Sequence, residues 1–95
     1  MKLENTIAPR HTFVYNGAQL NIYHAEKGQG LPKHEHLFSH ATFVCSGSIT
    51  IRKEGKEIVM DKNTQPVNLV ANEWHELEAA EDKTVFINVF AESKY

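Results

Sequence analysis

The sequence predicts an all-β domain, on three observations. Its apolar residues come in runs of three to seven, rich in Val, Ile, Phe and Tyr and separated by turn residues. No stretch keeps the i, i+3, i+4, i+7 spacing of an amphipathic helix for long. The reversals carry glycine or short polar residues, which have a mechanical reason to turn. Strands are expected at 12–16, 18–26, a short 34–36, 40–45, 48–53, 56–60, 66–70, 74–80 and 84–91.

Each connection has its own reason. Asn16-Gly17 is the hairpin pair, since a type I′ turn needs positive φ at both central residues. Ser46-Gly47-Ser48 and Glu54-Gly55 place glycines at two further reversals. Residues 61–64 and 81–83 read as polar loops. Pro66 lacks a ladder donor and belongs at the start or edge of its strand. Short strands at this spacing suit a sandwich or a barrel, and closure into a barrel would remove exposed edges.

Ninety-five residues fit one domain, read as an arm over 1–11, a barrel over 12–91 and a tail over 92–95. Ten basic against twelve acidic residues leave no basic face for nucleic acid. One cysteine cannot form an internal disulfide. No signal peptide is visible in the first eleven residues, and no apolar run approaches a membrane span. The expectation is a small cytoplasmic domain. No Gly-x-Ser-x-Gly elbow and no Walker loop is present.

The informative feature is histidine: four of the six fall between His24 and His40. On an extended strand residues i and i+2 share a face, so His34 and His36 project together. His40 is again at an even offset and keeps that face if the chain bends over 37–39. His75 opens a later strand, where it can come alongside. Imidazole ligands suit one divalent transition metal: Fe, Mn, Ni, Cu or Zn. A structural zinc site usually adds cysteines at close spacing, and Cys45 has no partner.

The spacing Gly28-x5-His34-x-His36-x3-His40-x6-Gly47 resembles the first motif of the cupin superfamily, with His40 where that family usually has glutamate. The second motif is weaker: Asn72 and Val70 stand for its glycine and proline, His75 is kept, and Ala79 replaces the final Asn. Asn tolerates the left-handed conformation better than other non-glycine residues, so Asn72 is a mild departure. The resemblance spans residues 12–91 and implies a single jelly-roll barrel, similar to small cupins with four histidine ligands. It further implies a metal held by His34, His36, His40 and His75, with cis positions open to a chelating or anionic ligand.

Strand alternation then points Thr42, Val44 and Leu77 inward, and Phe43, Cys45, Trp74 and Glu76 outward. Similarity to small cupins places Phe86 and Asn88 near the metal; a structural core amide is the competing reading of Asn88. Phe38 is expected at the lip of the cavity or as an apolar plug. His24 is a candidate proton carrier facing the barrel, His11 reads as exposed, and Glu73, Glu76 and Glu78 read as largely solvated.

Three functions stay open at this level. One is a metal-dependent enzyme on a small organic substrate, with dioxygenase or oxidoreductase chemistry implied first and lyase or isomerase chemistry second. Another is a non-catalytic module that binds or senses a small ligand. The third is an interaction domain with a vestigial site. The family also implies a homodimer, for which Phe43, Cys45, Trp74 and the outward residues of the last strand supply surface.

Overall fold

The computed structural model describes residues 3–34 and 39–91. Within them the chain forms nine strands: β1 (His11–Tyr15), β2 (Ala18–Ala25), β3 (Gly30–His34), β4 (His40–Ser46), β5 (Ser48–Lys53), β6 (Lys56–Asp61), β7 (Val67–Leu69), β8 (His75–Ala79) and β9 (Thr84–Phe90). They form two sheets, ordered β1-β2-β9-β4-β7 and β3-β8-β5-β6, with antiparallel pairing throughout. No ladder among the described residues joins the two sheets, so the architecture is an open jelly-roll sandwich rather than a closed barrel. No helix among them is long and apolar enough to cross a membrane.

The turn chemistry behaves as its residues dictate. Asn16 and Gly17 have φ of 50° and 84°, and β1 and β2 close on them in register, Tyr15 against Ala18. Asn72 has φ of 64°, the left-handed conformation expected where it replaces glycine. Gly47 does something other than close a hairpin. Strands β4 and β5 lie in different sheets, so Gly47 is the corner at which the chain crosses between them. Its φ is 71°, and a Cβ there would collide with the Thr84 side chain. Thr84 Oγ1 in turn donates to the Glu81 carbonyl at 2.8 Å and accepts from the Ser48 N–H at 3.4 Å, tying the start of β9 to the corner.

Strand β3 starts at Gly30, earlier than expected, and its ladder is irregular between Leu31 and His34. It is an edge strand, which is why Pro32 fits there without disrupting a ladder on both sides. The main core lies between the sheets: Tyr23, Ala25 and Phe86 from one, Ile49, Ile51, Met60, Leu77 and Ala79 from the other. Tyr23 and Phe86 stack at 4.8 Å between ring centroids.

Candidate functional site

The register assembles histidines from distant parts of the chain. His40 begins β4 and His75 begins β8, and both are buried, at 3% and 0% exposure. Alternation along β4 takes Thr42 and Val44 inward with His40, and along β8 takes Leu77 and Ala79 inward with His75. The two imidazoles meet edge to face, with centroids 5.5 Å apart, and Phe90 packs on His40 at 4.8 Å. His34 is the direct cross-strand partner of His75 on the β3–β8 ladder. The side chain of His34, and all of His36 and Phe38, lie outside the described residues.

The pair suits a metal on chemical grounds. Nδ1 of His75 lies 3.1 Å from the Glu73 carbonyl oxygen, which can only accept a hydrogen bond. In the neutral ring Nδ1 therefore carries the proton and the buried Nε2 carries the lone pair, the arrangement a metal-ligating histidine adopts. The 5.5 Å separation lets two such rings face one ion, with metal–nitrogen bonds of about 2.0–2.1 Å. Among the described residues no group of three or more metal-binding side chains is complete, and further ligands would come from His34 and His36.

The surroundings are apolar or neutral. Val44, Leu77 and Phe86 are buried, as are Thr42 and Asn88. Thr42 Oγ1 donates to Asn88 Oδ1 at 2.7 Å and sits 3.2 Å from His40 Nδ1. The Asn88 oxygen is thus engaged within the protein, as the core-amide reading requires. Burial pushes the Tyr23 phenol above its ordinary pKa, while hydrogen bonds from Asn21 and Asn88 pull the other way.

Two expectations require correction. His24 is exposed on the outer face of β2, because Tyr23 and Ala25 on either side of it are buried. It lines an outer cleft of about 390 Å³ with Arg10, Glu26, Gln29 and Lys83, and its ring lies 6.4 Å from that of His11. It cannot carry protons to the interior from there. Glu76 and Glu78 are ion-paired rather than solvated: Arg52 Nη1 reaches Glu78 at 2.8 Å and Glu76 at 3.4 Å. Glu73 pairs with Lys53 at 3.1 Å. Trp74 is half-buried, with Lys33 Nζ 4.6 Å from its ring centre.

The sequence signal for the interior side of β2 was missed. Gln19 and Asn21 point inward, at 3% and 7% exposure, while Leu20 and Ile22 are only half-buried. The clue lies in the β2–β9 register, which sets Asn21 opposite Asn88.

No protein-family model matches the chain, and no curated protein matches it in sequence. Solved structures do match in fold. KdgF from Halomonas sp. superposes with a TM-score of 0.77 at 14% identity, over 86% of this chain and 76% of that one. A cupin 2 domain-containing protein from Halorhodospira halophila gives a TM-score of 0.77 at 15% identity, over 100% of this chain and 71% of the other. A cupin-2 domain containing protein from Shewanella frigidimarina gives 0.72 at 17% identity, over 86% and 78%. The superposition of its two antiparallel sheets on these neighbours, at TM-scores of 0.72 to 0.77, shows that the chain has the fold of the cupin superfamily.

Proposed function

We propose that this chain is a metal-binding cupin acting on a small chelating or anionic organic substrate, with dioxygenase or oxidoreductase chemistry. One observation carries the reading: two buried imidazoles, His40 and His75, meet at 5.5 Å, with the backbone of His34 directly opposite His75. His34, His36, His40 and His75 would hold one divalent ion of Fe, Mn, Ni, Cu or Zn. Bound there, such an ion supplies a Lewis-acidic centre that binds the substrate's oxygen atoms or dioxygen. The chain's part is to fix the rings, to line the space with Val44, Leu77 and Phe86, and to keep bulk water out. For assembly we propose a homodimer. Its surface is better supplied by β1, where Phe13, Val14 and Tyr15 are 48–69% exposed, than by the half-buried Phe43 and Trp74; light scattering that finds a monomer at high concentration would refute it.

The neutral lining favours a second reading in part. Thr42 and Asn88, the polar side chains linked to His40, are both neutral, which suits a ligand-binding or sensing module. Metal analysis of untagged protein tests the shared premise: about one equivalent in the wild type, and background in His40→Ala and His75→Ala. Undiminished metal in both variants overturns the ligand assignment. Oxygen uptake by the metal-loaded protein with small carboxylates and enols separates turnover from binding.

A further inference from the structure

A line of polar side chains runs from exposed Thr12 across the buried face of the five-stranded sheet and ends on a histidine. Thr12 Oγ1 and Gln19 Nε2 donate to Asn21 Oδ1, at 3.1 and 3.0 Å. Asn21 is the cross-strand partner of Asn88 in the β2–β9 register. Asn88 Oδ1 then accepts from Thr42 at 2.7 Å. A threonine hydroxyl has one proton, and Thr42 spends it on Asn88. Toward His40 Nδ1, 3.2 Å away, Thr42 can only accept. The Ala41 carbonyl, 3.5 Å from the same nitrogen, can also only accept. With Asn88 Oδ1 turned toward Thr42, this leaves the proton on His40 Nδ1.

We propose that Thr42 and Asn88 are positioning residues that hold His40 in the Nδ1–H tautomer, with its lone pair on Nε2. Imidazole in water prefers the opposite tautomer, so the line has to override an intrinsic preference. The sense of the line is set by Asn88. Were its amide turned over, Thr42 would receive from Asn88 and donate to His40, and Nε2 would carry the proton instead. His75 is held the same way by a fixed backbone carbonyl, whereas His40 depends on side chains. The consequence for metal binding rests on the function proposed above; the tautomer itself does not.

Two measurements on the full chain test this. The first is nitrogen-15 NMR of the imidazoles in metal-free protein at a pH where they are neutral. His40 is expected as Nδ1–H in the wild type and in Thr42→Ser, and shifted toward Nε2–H in Thr42→Val. A wild-type His40 protonated on Nε2 overturns the proposal without any variant, so a Thr42→Val chain that fails to fold leaves it falsifiable. The second is competitive titration with Zn(II) and Mn(II). Thr42→Val should bind about 10–100-fold more weakly, and Thr42→Ser close to wild type. Equal losses in both variants, or none in Thr42→Val, count against a positioning role. A wild type that binds neither metal sinks the functional reading alone, and the tautomer then decides this inference.

Discussion

His34 and His75 are directly opposed on the β3–β8 ladder, one on an edge strand and the other on its inner neighbour. An ion held by both would tie the edge of the four-stranded sheet to its interior. Metal would then act as a stabilising ligand of the folded state. At free metal about 100 times its dissociation constant the gain is about 2.7 kcal/mol. For a domain of this size that raises the melting temperature by about 10–20 °C. Calorimetry before and after chelation should show it, together with faster amide exchange in β3 of the stripped protein.

Gly47 and Gly55 have nearly the same φ, 71° and 69°, in different surroundings. Nothing lies within 4 Å of a Cβ added at Gly55, whereas at Gly47 it would meet Thr84. Gly55→Ala should cost about 1–2 kcal/mol, the strain of the left-handed conformation alone. Gly47→Ala should cost clearly more, because Thr84 has to leave its hydrogen bonds to the Glu81 carbonyl and the Ser48 N–H. Urea denaturation of the two variants isolates the steric part by difference.

Arg52 bridges Glu76 and Glu78 and lies 3.7 Å from Glu57. The hydrogen bond it donates to Glu78 and the nearby charges raise its pKa despite the opposing effect of burial, so it remains charged at any working pH. The Arg52 side chain is 37% exposed, so solvent screens much of this attraction. Arg52→Met should therefore cost about 1–2 kcal/mol, less than the loss of a buried pair, by removing the cation that Glu57, Glu76 and Glu78 share. Denaturation of Arg52→Met with and without Glu76→Gln checks this: the second substitution should restore part of the loss.

Tyr23 gives a pH prediction whose sign follows from its surroundings. Burial raises the phenol above the 10.0 of an exposed tyrosine, so the unfolded chain loses this proton first. Its contribution is intact below about pH 10 and is lost as the pH climbs toward the folded-state value. Tyr23→Phe should flatten the alkaline limb of the stability curve. Denaturation of both chains across that range measures the difference.

Much of the fold was legible because short-range chemistry dictated it. Asn16-Gly17 could form only a tight hairpin, and Asn72 is one of few residues that tolerate φ of 64°. The inward set of β4 followed from simple alternation once His40 was placed. Gly47 was legible as a turn but not as a sheet crossing, since a positive φ says nothing of which strand comes alongside. The start of β3 was hidden because Gly30 and Pro32 look like breakers, and only edge placement makes them acceptable. The outward side of His24 was not legible, because Leu20 and Ile22 share its phase and are apolar, yet Tyr23 and Ala25 are the buried ones. Strand β2 pairs with β9, and pairing between distant strands cannot be read from local pattern.

The inward amides of β2 also bear on how the sheet finds its alignment. A strand that slides by two residues keeps the same faces, so apolar patterning alone does not penalise the error. Here such a slide would set Asn21 against Phe86 or Phe90 instead of Asn88. Its amide would then face aromatic rings while keeping only its bonds within the moving strands, and each buried polar group left unsatisfied costs about 1–3 kcal/mol. Amide-to-amide pairing thus disfavours a near-miss alignment that greasy side chains would accept.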